Sequence, residues 1–473
     1  MKFASPRGAM LFIGFFAPLF IVAALRWLDH GFGIVEIAPV FFHMFGNLDG
    51  TDPSFIWSFF RYVLLAPAAE AFALVWLSRR FRAACIPALV LTYGFFAWFA
   101  LKTYKIMAAI PANQGFFAKP TDFYEKNYVA PVAADIKFGT KRSVVILVLE
   151  SMDDSYREPS LFGRNLIPRL SQMMDKGEHV ENYTSVSGLN FTMGGLAGML
   201  CGLPVNYIYN RGDWLGKVLP NATCAPEILK AQGYDTAYFA AGRASFGGIE
   251  YFMSGHGVEK ILDGKHFRDK YGEKKLGPKS WGGVNDEKLF EFIKVELAQI
   301  KSQNRPYFAV VSTMDMHAPG FLSPSCVEAG GDKGDFRDVV SCVDTLTADF
   351  VDWLRGFDRE AVILVLADHN TMRNSISSGL DRSPRRNLLN VMLNAPGKIP
   401  ADRSALAIDF FPTIIRAAGG DVKGCRLGLG RSLFADCATG GGKTLLEQFG
   451  VDELVLKLTS PNALYNRFMG IDK

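Results

Sequence analysis

The sequence predicts an α/β fold, with a mainly parallel sheet sandwiched by helices, behind an N-terminal α-helical transmembrane region. Two apolar runs, at residues 143–149 and 361–367, carry the first part of this prediction. Their Val, Ile and Leu residues follow one another without polar alternation, which is typical of central parallel strands buried on both faces. The transmembrane region is predicted from hydrophobic segments that fill the chain before residue 102.

Strand and helix patterns alternate from residue 141 onward. Besides the two apolar runs, strands are predicted at residues 235–241 and 307–312. Helical patterns lie between and after the strands, at residues 166–176, 192–200, 224–232, 284–302, 341–356 and 408–418. This alternation indicates a parallel sheet with helices on both faces.

The composition also indicates a membrane protein with two parts. At 473 residues the chain exceeds the usual size of one domain, and 49% of its residues are apolar. The mean hydropathy is positive, at +0.12, because of the segments before residue 102. The formal net charge is only +4, and no dense Lys/Arg tract with interleaved aromatic residues occurs. Nucleic acid is therefore not an expected partner.

Four hydrophobic segments precede the α/β part, at about residues 9–25, 33–46, 55–78 and 83–101. The first, third and fourth are close to or above the length that crosses a bilayer, although the third contains Arg61 and Glu70. The second is short and contains His43, so we expect it to lie in the membrane interface or beside the other helices. Three spans plus one interfacial helix is the preferred prediction, with four spans as the alternative.

Basic residues between the third and fourth segments, Arg79, Arg80 and Arg82, indicate a cytoplasmic loop. The fourth segment then leads out of the cytoplasm. Arg26 and Asp29 follow the first segment in place of a small-residue cleavage site, so we do not expect a removed signal peptide. The predicted parts are a transmembrane helical domain at 1–101, a juxtamembrane connector at 102–140 and an extracytoplasmic domain at 141–473.

Six of the seven cysteines lie in the predicted extracytoplasmic domain, and Cys85 lies in the fourth segment. An even number of cysteines in an oxidising compartment is typical of disulfides, and six cysteines allow fifteen pairings. We prefer the sequential pairing, which closes three short loops, Cys201–Cys224, Cys326–Cys342 and Cys425–Cys437. A zinc cluster is the alternative, but the sequence contains no Cys-x-x-Cys spacing.

Polar residues with metal-binding chemistry follow the two apolar strands. Glu150 comes directly after the first strand, and Asp368 and His369 come directly after the second. In open α/β sheets ligands bind at the carboxyl ends of the strands, so we expect these side chains to meet there. Carboxylates and an imidazole suit a divalent cation. For either strand taken alone, a core strand followed by an ordinary polar turn is the alternative.

Thr192 follows a polar, glycine-containing loop and begins an apolar helix of small residues. One interpretation is an ordinary helix N-cap. The other is a nucleophile whose Oγ is exposed where backbone N–H groups face an anion. A threonine hydroxyl is a poor nucleophile near neutral pH, but a divalent cation changes such chemistry, because it lowers the pKa of bound water from about 15.7 to about 7.

Asp315 and His317 follow the third predicted strand, at the same predicted edge of the sheet. His317 has three interpretations: a general acid, a ligand of a substrate oxygen, or a structural histidine. A cluster of basic residues, Arg382, Arg385 and Arg386, is interpreted as a solvated loop and is not assigned to the site.

A strand ending in Glu150, a loop threonine, a His-x-Pro sequence and a strand ending in Asp-His occur in this order. The order resembles the alkaline phosphatase/sulfatase superfamily, and in particular its membrane-anchored phosphoglycerol transferases. These include lipoteichoic acid synthases and the transferase that decorates osmoregulated periplasmic glucans. Segments similar to the glucan-modifying branch lie at 191–204, 224–242 and 321–326, and segments common across the superfamily lie at 409–419 and 427–434. The resemblance covers about residues 141–435 and implies an alkaline-phosphatase-like sheet.

The resemblance implies a covalent mechanism. One divalent cation, manganese or zinc, is bound by the motif residues Glu150, Thr192, Asp368 and His369. Thr192 attacks the phosphodiester of phosphatidylglycerol as an alkoxide and releases diacylglycerol. A hydroxyl of an envelope glycan, either a periplasmic glucan or a lipopolysaccharide sugar, then displaces the phosphoglycerol-threonine intermediate. These roles imply a bacterial inner membrane protein with its donor in the lipid bilayer and its catalytic domain, 141–473, in the periplasm.

The resemblance also implies substrate contacts. His317 matches the family histidine that contacts the transferred group, and Arg243 and Phe246 lie where the family places headgroup contacts, although the Trp of lipoteichoic acid synthases is missing there. The nearest alternative is a phosphoethanolamine transferase acting on lipid A or lipopolysaccharide. A sulfatase is disfavoured because no C/S-x-P/A-x-R motif surrounds Thr192. A non-catalytic membrane scaffold with the same fold is a further alternative.

Overall fold

The computed structural model describes residues 6–32, 53–81, 83, 85–206, 217–278, 280–384, 386–439 and 442–471. These residues form two compact units that divide between Gln114 and Gly115. This division differs from the predicted limits because the last apolar helix continues to Ala109. The segment that follows belongs to the α/β unit, where Phe123 and Tyr124 are buried. The functional limits of the three predicted parts stay a prediction.

The smaller unit is built from apolar helices at Pro6–Phe32, Pro53–Phe59, Ala66–Arg80 and Cys85–Ala109, with a π-helical turn at Phe60–Leu65. Phe15, Ala71 and Val75 form a buried core between these helices. Other large apolar side chains, such as Met10 and Leu91, are exposed to their surroundings. Apolar helices with exposed apolar faces suit a lipid environment.

Three segments among the described residues are long and apolar enough to cross a membrane, at Pro6–Asp29, Ile56–Arg80 and Cys85–Ala109. The three predicted spans are thus confirmed by length and composition. The predicted interfacial segment at 33–46 and the basic residue Arg82 lie outside the described residues.

A six-stranded sheet forms the centre of the larger unit. Its strands are β1 (Val144–Leu149), β2 (Asp235–Ala240), β3 (Lys260–Leu262), β4 (Tyr307–Ser312), β5 (Val362–Ala367) and β6 (Asn390–Leu393). The spatial order is β3-β2-β4-β1-β5-β6, and only β6 runs antiparallel to its neighbour. Every residue of β1, β2, β4 and β5 is buried, as predicted for central strands. The three residues of β3 and the four of β6 are too short to leave a clear pattern in the sequence.

The predicted helices form within a few residues of their expected limits, at Pro168–Lys176, Thr192–Cys201, Ala225–Ala231, Asp286–Lys301, Phe336–Phe357 and Ala407–Ala417. The longest begins five residues before its predicted start at 341. Asp335 causes this earlier start, because its side chain accepts the N–H of Arg337 and caps the helix.

Short elements complete the larger unit. Two-stranded pairs join Lys137–Phe138 to Gly420–Asp421, Asn182–Tyr183 to Ser404–Ala405, and Arg426–Leu427 to Gly430–Arg431. Short α-helices lie at Phe123–Asn127, Pro159–Phe162, Ile249–Gly255, Gly264–Tyr271, Glu273–Leu276, Pro324–Glu328, Ser377–Leu380, Leu445–Phe449, Val451–Thr459 and Ala463–Phe468. The short helix Pro111–Phe116 contains the point of division at Gln114 and Gly115. 3₁₀ turns lie at Ala133–Asp135, Asp154–Arg157, Phe246–Gly248, Lys423–Cys425 and Ala435–Cys437. Tyr124 Oη donates a hydrogen bond of 2.7 Å to Leu458 O, which ties the connector to the C-terminal helices.

Disulfides form in the sequential pairing, Cys201–Cys224, Cys326–Cys342 and Cys425–Cys437, which confirms that prediction. The first joins the end of one helix to the start of the next, and the second joins the helices Pro324–Glu328 and Phe336–Phe357. Because the pairing uses all six cysteines of the larger unit, no thiolate there is left for a zinc cluster.

Replacing Cys326 and Cys342 together by Ser is expected to lower the free energy of unfolding by about 3 kcal/mol, because the unfolded chain is no longer closed into a loop. The two cysteines are 16 residues apart. Urea unfolding of the detergent-solubilised chain, followed by tryptophan fluorescence, measures the effect. Cys85→Ser is the control, since Cys85 is a free cysteine. An unchanged unfolding midpoint in the double variant contradicts the expectation.

Candidate active site

The strongest candidate site lies at the carboxyl edge of the sheet, where β1 and β5 end side by side. Leu149 pairs with Ala367 in the parallel register, so the polar residues that follow are neighbours. One ligand atom from each of Glu150, Asp368 and His369 lies within 4.8 Å of the other two. His369 Nε2 is 3.5 Å from Glu150 Oε1 and 3.4 Å from Asp368 Oδ2. The structure thus brings together three of the four expected metal ligands.

The hydrogen bonds of Asp368 test whether this cluster fits a cation. Asp368 is only 1% exposed. Its Oδ1 accepts the N–H of Ser151 at 3.0 Å and that of His369 at 2.8 Å. Its Oδ2 accepts no hydrogen bond from the described residues. A buried carboxylate oxygen that accepts no hydrogen bond is costly, and a divalent cation with oxygen and nitrogen ligands removes that cost. The residues present therefore fit a metal ion.

The electrostatics of the cluster agree with this fit. Burial raises the pKa of Asp368 to about 7, with His369 opposing the shift and Glu150 adding to it. Burial lowers the pKa of His369, but Asp368 and Glu150 outweigh it and the net shift is upward. The pKa of Asp368 is thus raised mainly by burial, whereas the pKa of His369 is raised by the two carboxylates beside it. A bound cation neutralises this excess of negative charge.

Thr192 lies next to the cluster, at the start of its helix. Its Oγ1 is 3.4 Å from His369 Nε2. Phe191 occupies the N-cap position, so the N-cap interpretation of Thr192 is wrong by one residue and the hydroxyl is not used as a cap. Gly195 allows the first turn of the helix to come this close, because a Cβ there would lie 2.7 Å from Asp368 O.

His317 lies in the loop that follows β4. Its ring packs edge-on against Trp281 with ring centroids 3.9 Å apart, and Trp281 Nε1 donates to His317 O at 3.3 Å. Because β4 is the parallel neighbour of β1, the loop leaves the sheet at the same edge as Glu150. Thr313 Oγ1 accepts the N–H of Glu150 at 3.0 Å and links the two segments. Trp281 was not predicted as a site residue, since it follows no predicted strand and belongs to no motif.

Arg243 and Phe246 follow β2, whose last residue pairs with the last residue of β4. Phe246 begins a 3₁₀ turn, and its N–H donates to Arg243 O at 3.1 Å. Both side chains are partly exposed. They lie at the same edge as the cluster, two strand positions from β1. Their role as headgroup contacts stays a prediction.

An ion pair between the buried Asp153 and the half-buried Arg386 was not predicted. Arg386 donates from Nε and Nη2 to Asp153, at 3.1 and 2.9 Å, and Asp153 also accepts from Asn370 Nδ2 at 2.7 Å and Thr371 N at 2.9 Å. Asp153 is fully buried. These bonds tie the segment after Glu150 to the segment after the Asp-His sequence.

The interpretation of the arginine cluster as a solvated loop is therefore wrong for Arg386, while Arg382 is exposed and Arg385 lies outside the described residues. A signal was available in the sequence. Asp153 and Asn370 stand within three residues of Glu150 and His369, and acidic or amide residues so close to metal ligands often hold them in place.

Comparisons with known proteins agree with this geometry. A sulfatase family model matches residues 142–420. Phosphoglycerol transferase I from Xanthomonas campestris pv. campestris is 28% identical over 312 residues, which are 63% of this chain and 43% of that protein. Phosphoglycerol transferase I from Salmonella paratyphi B is 25% identical over 329 residues, which are 67% of this chain and 42% of that protein. The chain thus spans less than half the length of these curated relatives.

Solved structures with the same fold include a protein of the alkaline phosphatase superfamily from Vibrio parahaemolyticus. It aligns with a TM-score of 0.50 and 20% identity, over 68% of this chain and 77% of that one. The integral membrane protein lipooligosaccharide phosphoethanolamine transferase A from Neisseria meningitidis aligns with a TM-score of 0.51 and 14% identity, over 88% of this chain and 85% of that one. These likenesses confirm the predicted fold class. Because the family match extends from the first central strand past the Asp-His site and covers more than half of the residues, the chain belongs to the sulfatase family.

Proposed function

We propose that this protein is a metal-dependent phosphotransferase of the bacterial inner membrane. It transfers phosphoglycerol from phosphatidylglycerol to a hydroxyl group of an envelope glycan. The observation that carries the proposal is the Thr192 hydroxyl, 3.4 Å from His369 and beside a buried cluster suited to a cation. The transferred group is proposed from the relatives named phosphoglycerol transferase I.

Glu150, Thr192, Asp368 and His369 are the proposed ligands of one divalent ion, manganese or zinc. When bound, the ion supplies positive charge against the phosphoryl oxygens and lowers the pKa of the hydroxyl. Ser151 Oγ donates a hydrogen bond of 2.6 Å to Glu150 Oε1, which orients this carboxylate toward the site.

Thr192 is the proposed nucleophile. Its Oγ1 gives up its proton and forms a bond to phosphorus, while the bond from phosphorus to the diacylglycerol oxygen breaks and that oxygen leaves with the electron pair and takes up a proton. Phosphoglycerol then stays on Thr192 until an acceptor hydroxyl gives up its proton and its oxygen bonds to phosphorus, while Oγ1 leaves with the electron pair and regains a proton. Two steps allow the lipid donor to depart before a polar acceptor enters.

His317 is proposed to bind an oxygen of the transferred group. The support is its position at the carboxyl edge, on a loop joined to Glu150 through Thr313. Its contact with Trp281 restricts the orientation of the imidazole. Arg243 and Phe246 are proposed to contact the headgroup, for which a guanidinium beside a phosphate is a favourable pair.

A membrane anchor suits a lipid donor, because it keeps the enzyme and the donor at one surface and raises their effective concentration. We place the α/β unit in the periplasm on two grounds. Its disulfides are typical of an oxidising compartment. Arg79 and Arg80, at the end of the second span, favour a cytoplasmic position for that end. The acceptor is then a periplasmic glucan or a lipopolysaccharide sugar.

Phosphoethanolamine transfer to lipid A or lipopolysaccharide is the second candidate function. It is favoured by the fold likeness over 88% of the chain to an integral membrane structure with that named activity. The two functions share the proposed nucleophile and differ in the group that it carries.

Vesicles with headgroup-labelled phosphatidylglycerol are expected to label Thr192, whereas vesicles with labelled phosphatidylethanolamine are not. Mass spectrometry of the peptide that contains Thr192 reports the modified residue and the mass of the attached group together. Thr192→Val is the control for labelling at other residues. Label from phosphatidylethanolamine alone replaces the first function by the second.

A further inference from the structure

Two buried carboxyl groups belong to or contact the loop that carries His317. Asp315 lies near the start of the loop, and Asp286 accepts hydrogen bonds from its backbone. Neither residue has measurable exposure. Asp286 begins the helix Asp286–Lys301, and Asp315 follows β4. The N–H of Asp286 donates to Asp315 Oδ2 at 3.2 Å, and the Ser323 hydroxyl donates to the same oxygen at 2.7 Å. The mechanism proposed above uses neither carboxyl group.

The Asp286 carboxylate holds the start of this loop through the backbone. One of its oxygens accepts the N–H of Met314 at 2.8 Å, and the other accepts the N–H of Asp315 at 3.1 Å. The loop then closes on the same two residues: the N–H of His317 donates to Met314 O at 2.9 Å, and that of Phe321 donates to Asp315 O at 2.8 Å. The backbone of His317 is therefore built on the two residues that Asp286 anchors.

We propose that Asp286 is a positioning residue for His317, and that the Asp315 carboxylate, which accepts the N–H of Asp286 and the hydroxyl of Ser323, holds Asp286 in place. The inference rests on the proposed function, in which His317 binds the transferred group. Asp286 acts through the backbone of residues 314 and 315, and so determines where the imidazole stands relative to Thr192.

The electrostatic cost of the pair supports a functional role. Burial raises the pKa of Asp286 to about 7. Burial and the Asp286 charge together raise the pKa of Asp315 well above its ordinary value. A loop that only connects two elements does not need two neighbouring buried carboxyl groups, and groups with strongly shifted pKa values are concentrated at functional sites.

Asp344 provides a matched control. It is 1% exposed, and its carboxylate also accepts two backbone N–H groups, from Leu170 at 2.8 Å and Arg169 at 3.1 Å. Asp344 anchors the start of the helix Pro168–Lys176 instead of the His317 loop. The two aspartates therefore share their burial and their bonding but serve different segments.

A double-mutant cycle on the full chain, in phosphatidylglycerol vesicles, tests the proposal through kcat for diacylglycerol release. Asp286→Ala is expected to lower kcat by about tenfold to a hundredfold in the chain that retains His317. When it is combined with His317→Ala, the further loss should be less than about twofold, because the effects of residues that act as a unit are not additive. Asp344→Ala is expected to lower the melting temperature and to change kcat by less than about threefold, equally in both backgrounds.

The outcomes separate this proposal from the proposed function. An equal loss from Asp286→Ala in both backgrounds overturns the positioning role, because it marks a general structural effect. An unchanged kcat in His317→Ala, beside an inactive Thr192→Val, also overturns it and leaves the phosphotransferase standing. A fully active Thr192→Val overturns the phosphotransferase mechanism itself.

Asp286→Ala variants that do not accumulate in the membrane are replaced in the cycle by Ser323→Ala. This change removes only the 2.7 Å hydrogen bond to Asp315. It is expected to lower kcat about threefold where His317 is present and to have no effect beside His317→Ala, as expected for coupled neighbours. No effect in either background, or the same loss in both, overturns the proposal.

Discussion

Thr192→Val is expected to lower the rate of diacylglycerol release by at least about 10³-fold, in line with the losses that follow removal of a nucleophile. Valine has nearly the shape of threonine and carries a methyl group in place of the hydroxyl. In Thr192 the oxygen of that hydroxyl lies 3.4 Å from His369 Nε2. The helix start should survive the change, because Thr192 Oγ1 is not a cap of that helix. The loss should therefore be chemical and should leave the melting temperature close to that of the unchanged protein.

Thr192→Ser is the control for this experiment, since serine retains the hydroxyl. It should keep measurable transfer and should still trap the covalent intermediate, whereas the valine variant should trap none. Release of diacylglycerol by Thr192→Val at the unchanged rate would falsify the covalent mechanism. A collapse of the melting temperature in both variants would instead assign Thr192 a structural role.

Removal of the metal ion is expected to have an effect of similar size. Chelation should abolish transfer, and manganese or zinc should restore it. The negative charges of Glu150 and Asp368 lie close together, so a cation is needed there to stabilise the additional negative charge of the phosphoryl oxygens. Asp368→Ala should lower the bound metal from about one ion per chain to below about a tenth, since it removes a proposed ligand whose Oδ2 accepts no hydrogen bond from the described residues. Elemental analysis of the purified chain measures this content directly.

Two further variants test whether the loss of metal depends on the position of the substitution. Ser151→Ala removes the hydrogen bond to Glu150 Oε1 and is expected to weaken metal affinity by about tenfold to a hundredfold, as is usual for an outer partner of a ligand. Asp344→Ala removes a buried carboxylate elsewhere and should leave the metal content unchanged. Wild-type protein that binds neither manganese nor zinc would favour the non-catalytic scaffold over an enzyme.

The two experiments together distinguish nucleophile from ligand. Thr192→Val retains Glu150, Asp368 and His369, so it should keep much of its metal while it loses transfer. Asp368→Ala should lose both. A valine variant that loses its metal as completely as the alanine variant would show that Thr192 is needed mainly to hold the ion.

Much of the fold follows from local pattern. The strands β1 and β5 are visible in the sequence because a short run of consecutive Val, Ile and Leu residues is typical of a strand buried on both faces in the middle of a sheet. Their carboxyl ends lead directly to Glu150 and Asp368, so the main cluster is also visible. The short strands β3 and β6 carry no such pattern, and the end of the last apolar helix at Ala109 lies beyond the hydrophobic segment that predicts it.

The sequence by itself determined which polar residues follow the central strands and where the membrane helices lie, because both depend on runs of neighbouring residues. The sequential disulfides were one preferred pairing among fifteen, and the structure selected them. Only the tertiary structure decided which distant side chains meet: Trp281 with His317, 36 residues apart, and Asp153 with Arg386, 233 residues apart. The physical reason is that these contacts depend on how loops leave the sheet and pack at its edge. This packing then determines whether a charged residue such as Arg386 stays in solvent or pairs with a buried carboxylate such as that of Asp153.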